Sequence, residues 1–278
     1  MAIEIVGTGH ILEKSVAEVR ERISNEKPDF VAVELDIKRF KALEESGFRP
    51  ESYKPPSLGD IVSSFRRGGS FPVFLQMVLA MIQREVAKRY GAQPGVDMCT
   101  AILTARDLGC RLVLMDRDIE VTMNRLMGVP VKEWLSLLAS NKEEDFQAIS
   151  SIFQGDIADI LEQKNLDKVL TLFRKRNPHI YEVLIDERDR YMALSLNALQ
   201  ENQPEAKIIA VMGAGHKRGT SQYLEKLACD QEIEVEQLMK TKKASILQYG
   251  MLALLVSGAF ILMKSEFLFR KKGRWNWQ

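Results

Sequence analysis

Gly7-Thr8-Gly9-His10 and Gly213-Ala214-Gly215-His216 are two places where this sequence sets a histidine directly behind a Gly-x-Gly, each time after a short apolar run. The chain has three histidines, and these two leave only His179. Glycines let a backbone turn sharply and admit a ligand close to the main chain. A histidine placed there sits near a helix N-terminus, where exposed amides and the dipole favour an anion or oxyanion. One such corner is ordinarily a turn with a polar residue in it. Two, both at the ends of apolar runs, read as two halves of one site.

Acidic residues at the ends of other apolar runs complete the chemistry. Glu34 lies inside FVAVEL, where a carboxylate needs a cation or a metal beside it, and Arg39 is the nearest cation in sequence. Asp116-Arg117-Asp118 closes another run and reads either as a solvated charge cluster or as part of the same site. His10, His216 and Glu34 suit a divalent ion such as Mn²⁺, Co²⁺ or Zn²⁺ with one position left for water. Bound metal would lower the pKa of that water and make it a nucleophile near neutral pH. The same residues also suit metal-free chemistry, with one histidine as general base and the other stabilising developing charge.

Asp186-Glu187-Arg188-Asp189-Arg190 has helical spacing: Asp186 pairs with Arg190 at i,i+4, while Glu187 and Arg188 project to different sides. Taken alone it is a salt-bridged helix face. Asp97 stands in the first turn after Pro94-Gly95, where a carboxylate complements the helix dipole. His179, behind Pro178 at a helix start, is expected to be structural.

The elements that would position these residues follow from periodicity. Strands are expected at Ile3–Val6, Phe30–Asp36, Arg111–Met115, Lys207–Met212 and Ile233–Leu238. Helices are expected at Ser15–Asn25, Phe71–Tyr90, Val96–Leu108 and Gln222–Ala228, and almost throughout 119–200, with breaks at Gly128-Val129-Pro130, Gly155 and Asn177-Pro178. A turn-rich basic stretch between Glu44 and Gly69 reads as a loop over or beside the site. Strands separated by helices imply parallel β-α units, so the fold class is α/β: a mainly parallel central sheet of about five strands flanked by helices, with a large helical insertion at about 119–200. In such a sheet ligands bind beyond the carboxyl ends of the strands. His10, Glu34, Asp116 and His216 all belong to that edge. The β-GxGH-α unit at both ends of the domain also fits a degenerate internal duplication.

The totals narrow the class. Over 278 residues the chain is 46% apolar and 28% charged, with 39 basic against 38 acidic side chains, so no field of one sign argues for nucleic acid. Cys99, Cys110 and Cys229 are odd in number and widely spaced, which fits reduced thiols rather than a disulfide framework. MAIEIV lacks the basic and apolar regions of a signal peptide, so none is expected. Residues 244–263 read ASILQYGMLALLVSGAFILM, a chargeless run flanked by Lys240, Lys242 and Lys243 and by Lys264, Arg270, Lys271, Lys272 and Arg274. Twenty helical residues span about 30 Å, the hydrocarbon thickness of a bilayer. A single membrane span at 244–263, after a domain of 1–240 and before a basic tail of 264–278, is favoured over a buried core helix. The basic tail argues by the positive-inside rule for a domain outside, the missing signal for a cytoplasmic one; the second is the weak preference.

Six motifs in order resemble the TraB/PrgY/GumN family, which includes the Tiki proteases and the pheromone-shutdown proteins. They are GTGH (7–10), VAVELD with Arg39 (31–39), GAQPGVDM (91–98), LMDRDIEVTMNR (114–125), DERDRYM (186–192) and VMGAGHKRG (211–219). The resemblance covers about residues 3–230. It implies a core in which His10, His216 and Glu34 are central, and Tiki-like members are regarded as metal-dependent peptidases. It also moves Asp116, Arg117, Asp118, Glu187 and Arg188 from surface charges into the site.

The combined reading is a membrane-attached, metal-dependent hydrolase acting on a peptide or signalling polypeptide. His10, Glu34 and His216 would bind the metal or activate water, and Arg117 and Arg188 would hold a substrate carboxylate or stabilise an oxyanion. Gly7, Gly9, Arg39, Asp97, Asp116, Asp118, Glu187, Gly213 and Gly215 are expected to line the substrate. The alternatives are a non-catalytic peptide- or signal-binding protein using the same cleft and a membrane-organising protein. A homodimer is the base-rate assembly.

Overall fold

Apolar runs too short to span a domain as helices, and rich in Val, Ile and Ala, become four parallel strands in the computed structural model, which describes residues 3–8, 13–48, 95–139, 163–229 and 231–241. The strands are β1 (Ile3–Thr8), β2 (Phe30–Val33), β3 (Arg111–Leu114) and β4 (Ile208–Gly213), in spatial order β1-β4-β2-β3. Register pairs Val6 with Val211, Val33 with Val211, and Val33 with Leu114. The last strand in sequence therefore lies between the first two, and Gly7 and Gly213 end up on neighbouring strands.

Side chains alternate across the sheet, so both faces must be covered. One face carries Val6, Val31, Val33, Ile209 and Val211 against Val19 and Ile23 of α1 (Glu13–Glu26) and Ile102 and Ala105 of α3 (Val96–Asp107). The other carries Ala32, Ile208, Ala210 and Met212 against Met192, Ala193 and Leu196 of α8 (Glu187–Asn202) and Leu224 of α9 (Ala214–Ala228). α2 (Ile37–Glu45) follows β2 at the sheet edge. A third apolar cluster, Met123, Leu126, Met127, Val129, Ile180 and Val183, joins α4 (Ile119–Met127) to α7 (Pro178–Tyr181) and to the single π-helical turn Glu182–Asp186 that runs into α8. α5 (Val131–Ala139) and α6 (Gln163–Arg176) complete the described part of the helical insertion.

Several expected boundaries shift. β1 extends through Gly7-Thr8, because both keep pairing with Met212 and Gly213. Ala214-Gly215-His216 lie in the first turn of α9, with Gly213 as its cap, so that helix starts eight residues earlier than its apolar pattern suggests. The expected fifth strand at Ile233–Leu238 is instead the short helix α10 (Val235–Met239), and the described sheet has four strands. The reason lies in its carbonyls. A helix end leaves its last carbonyls without backbone donors, and here Gln237 O and Leu238 O accept from Arg125 and Arg117, while Leu238 is buried. The helix expected at Phe71–Tyr90, the loop 44–69 beyond residue 48, and the apolar run 244–263 with its tail lie outside the described residues. Among the described residues no helix is long and apolar enough to cross a membrane.

Candidate functional site

Beyond the carboxyl ends of β2, β3 and β4 the chain gathers ionisable side chains that burial should disfavour unless each is paired. Glu34 leaves β2 with its amide still bonded to Val211 O at 3.1 Å, which holds its backbone against β4. Its Oε2 accepts from the amide of Gly213 at 2.7 Å, the residue that caps α9 without a side chain of its own. Its Oε1 accepts from Arg188 Nη2 and lies 3.4 Å from His216 Nε2. His216, in the first turn of α9, is 6% exposed, and its Nδ1 meets Asp189 Oδ1 at 2.6 Å.

Arg188 is the hub. A guanidinium has five N–H donors in a fixed fork, and every one has a partner here. Nε and Nη2 form a fork to Asp116 at 3.1 and 2.7 Å, and Nη2 also reaches Glu34. Nη1 reaches Leu184 O at 3.2 Å and His216 Nε2 at 3.0 Å. With Nδ1–H donated to Asp189, Nε2 is the lone-pair nitrogen and accepts from Arg188. Asp116 accepts a second cation, Arg39 Nη2, whose Nε is held by Asp36 at 2.7 Å. Asp36 also caps α2, accepting from the amides of Lys38 and Arg39. The chain of polar contacts runs Asp36, Arg39, Asp116, Arg188, Glu34, His216, Asp189, across two strand ends and three helices. The partner of Glu34 is thus Arg188 rather than Arg39, the neighbour in sequence; Arg39 turns to Asp36 and Asp116.

Protonation follows the same geometry. Burial pushes the Asp116 carboxyl up, but Arg188 and Arg39 outweigh it and hold it below the usual carboxylate range. Burial pulls Arg188 down, and Asp116 and Glu34 more than reverse this. Asp189 differs: burial dominates and raises it to about 6, against the opposing bond and charge of His216.

Not every expected residue joins this cluster. Arg117 is wholly buried, yet its donors go to Glu187 Oε2 at 2.7 Å, Thr122 Oγ1 at 3.1 Å, Leu238 O at 2.9 Å and Val183 O at 3.3 Å. Arg125 forks onto the same Glu187 carboxylate, at 2.7 and 2.5 Å, and donates to Gln237 O and Lys240 O. Arg117 and Glu187 therefore form, with Arg125, a clamp on the segment 237–240. Asp118 caps α4 and pairs with Lys38 at 3.0 Å on the surface. Asp97, buried in the first turn of α3, meets Thr8 Oγ1 and the Met98 amide, tying the end of β1 to α3. A Cβ on Gly7 would come within 3.3 Å of the Ala214 backbone, so Gly7 serves the close approach of β1 to α9; one on Gly215 would meet only Leu170, at 3.9 Å. Gly9 and His10 lie outside the described residues. His179 is structural as expected: Glu133 accepts from its ring Nδ1 at 2.5 Å and from the His179 and Ile180 amides, closing the start of α7. Arg190 pairs with Asp186, and Tyr223 donates to the same carboxylate at 2.8 Å.

As arranged, the described residues do not fit a metal. Glu34 Oε1 and His216 Nε2 do converge, but both are engaged by Arg188, so a guanidinium holds the place a divalent ion would take. Among the described residues no group of three or more His, Cys, Asp and Glu could hold one. The residues that reasoning from the sequence passed over are Thr8, Asp189 and Arg125. Asp189 had a readable signal: a histidine on a helix that must pack against DERDR needs one of its acids.

Two outcomes follow from this geometry. Arg117→Met leaves Glu187 with Arg125 as its cation and removes the arginine donor from buried Leu238 O; urea unfolding should show a loss of about 1–3 kcal/mol, and hydrogen exchange over 235–241 should quicken. The folded value of Asp189 lies above its unfolded one, so the native state binds more protons between pH about 4 and about 6, and stability from this group is present at acid pH and lost as pH rises through that window. Unfolding free energies from urea titrations at pH 4.5 and 7 should fall by roughly 2 kcal/mol more in the wild type than in Asp189→Asn; an equal change in both would show that Asp189 titrates normally.

The family model described as the TraB/PrgY/gumN family matches residues 2–237. An uncharacterized protein, MJ1365 of Methanocaldococcus jannaschii, is 34% identical over 270 residues, which is 94% of this chain and 64% of that relative. The chain thus spans a little under two thirds of the length of the curated relative it matches. The matched region contains the four strands of the described sheet, the Arg188 cluster and the side chains of Arg117, Arg125 and Glu187, and the chain belongs to the TraB/PrgY/gumN family.

Proposed function

We propose that the chain is a hydrolase, in first place a peptidase, whose reacting groups are His216 and Glu34 and whose organiser is Arg188. The observation that carries this reading is the buried histidine with its Nδ1 on a carboxylate and its Nε2 facing a second carboxylate and an arginine at the ligand edge of a parallel sheet. Asp189 fixes the tautomer, so Nε2 is the nitrogen that takes a proton from an attacking water. Arg188 Nη1 then moves from Nε2 to the oxygen that gains charge, while Nε and Nη2 keep it anchored on Asp116 and Glu34. Only one of its five donors has to change partner. Arg39, with its side chain 30% exposed, uses Nε and Nη2 and keeps Nη1 uncommitted among the described residues, which suits it to a substrate carboxylate or other anion at the mouth.

Attachment to a membrane through 244–263, with the domain on the cytoplasmic side, is part of the proposal and rests on the sequence alone. The competing idea, a divalent ion on Glu34, His216 and His10, requires Arg188 to release both ligating atoms.

Full-length protein in detergent, incubated with a fluorogenic peptide mixture, provides the test. His216→Ala and Glu34→Gln should each lower turnover at least 100-fold with circular dichroism unchanged. Full turnover in both variants would sink the hydrolase reading. Stoichiometric metal that co-purifies with the wild type and is lost with His216→Ala, measured by elemental analysis, would replace the Arg188-centred mechanism with the metal one.

A further inference from the structure

We propose that Gly219 is a positioning residue for His216: its missing side chain is the space through which Asp189 reaches Nδ1. The inference rests on the reading of His216 as the reacting base, and it adds a residue to which the motifs gave no role.

Gly219 sits inside α9, three residues after His216, on the same helix face, and that face packs against α8, which carries Asp189. A glycine inside a helix weakens it relative to alanine. No left-handed backbone angle accounts for it, because Gly219 is not among the positive-φ glycines of the described residues. Crowding does. A Cβ built on Gly219 would fall 1.9 Å from Asp189 Oδ2, 2.7 Å from its Cγ and 3.2 Å from its Cβ. Two of these atoms are near the root of the side chain. Aspartate is short, so no flexible end can give way while Oδ1 stays 2.6 Å from His216 Nδ1. Alanine at 219 must turn the carboxylate out of its place, and His216 then loses the partner that fixes its tautomer. Gly7, Gly128 and Gly215 are less crowded: Gly7 meets Lys217 Cδ at 3.0 Å, Gly128 the Arg125 carbonyl at 3.2 Å and Gly215 only Leu170 at 3.9 Å.

Steric coupling of this kind is separable from helix propensity. If Gly219 served no carboxylate, alanine would raise the melting temperature. The proposal requires it to fall in the wild-type background and to rise, or stay level, when Asp189 is already alanine, since the carboxyl atoms at 1.9 and 2.7 Å are then gone and only the Cβ at 3.2 Å remains. The ring itself gives the second readout. In full-length protein labelled with ¹⁵N-histidine, with His216 assigned by its loss in His216→Ala, the wild type should carry its proton on Nδ1 and leave Nε2 bare. Gly219→Ala should replace that pattern with a mixture of tautomers, and turnover should fall at least tenfold with KM little changed.

Retention of the Nδ1–H pattern in Gly219→Ala overturns the proposal. An equal fall in melting temperature in the wild-type and Asp189→Ala backgrounds overturns it too, as does failure of the Asp189→Ala/Gly219→Ala double variant to fold where Asp189→Ala folds. Should the ring pattern and the coupling both be as expected while the wild type cleaves none of the peptides, the hydrolase reading fails and the positioning role stands.

Discussion

A buried guanidinium is tolerable only when nearly all its donors are met, and in this protein that requirement falls on Arg188. Stripped of water it is costly to hold charged, and an isolated pair with one carboxylate seldom repays the desolvation. Here it has two carboxylates, a carbonyl and an imidazole. Apart from the Leu184 carbonyl, four residues earlier, none of those partners is local in sequence. Glu34 comes from the end of β2, Asp116 from the end of β3 and His216 from the start of α9, so the cation is satisfied only when the sheet has its correct order and α8 lies over its carboxyl edge. The two carboxylates alone would repel each other, and Arg39 adds the second positive charge that lets Asp116 remain ionised beside Glu34. Site and fold are in this sense one construction.

α8 meets that demand by a simple device. Successive residues on a helix point about 100° apart, and DERDR uses the rotation fully. Asp186 and Arg190 close on each other and on Tyr223, Glu187 turns to Arg117 and Arg125, Arg188 to the strand ends, and Asp189 to His216. The π-helical turn directly before it offers the carbonyls of Val183 and Leu184 to two arginines, Arg117 and Arg188. Such widened turns recur at functional positions, and each one shifts the phase of the helix beyond it.

Much of this was legible in the sequence, and the illegible part has a common cause. Parallel strands, their apolar character and the gathering of His216, Glu34 and Asp116 at one edge follow from runs, breaks and the rule for open sheets. The partner of Glu34 did not. Proximity along the chain favoured Arg39, whereas the bonded cation is 154 residues away. Asp189 was one acid among several in a charged run, and only the phase of α8 against α9 distinguishes it from Asp186 or Glu187. Ile233–Leu238 read as a strand because Ile233 and Val235 alternate with glutamates; its latter part becomes a helix because a pair of arginines needs its terminal carbonyls. Each miss is a case in which a long-range charge, rather than local pattern, selects the structure.

The neighbouring positions 187 and 188 also bear on how the domain meets the segment beyond it. Glu187 holds the two arginines that grip the carbonyls of 237, 238 and 240, and Lys240 lies four residues before the apolar run that begins at Ala244. Arg188, one residue along the same turn, holds His216 and Glu34. A peptide unit is stiff, and a helix turn that is pinned on two sides transmits a rotation rather than absorbing it. The segment 237–240 is therefore held relative to the Arg188 cluster by a single helical residue step. Arg117 and Glu187, expected among the site residues, have a different use: with Arg125 they hold the carbonyls of Gln237, Leu238 and Lys240.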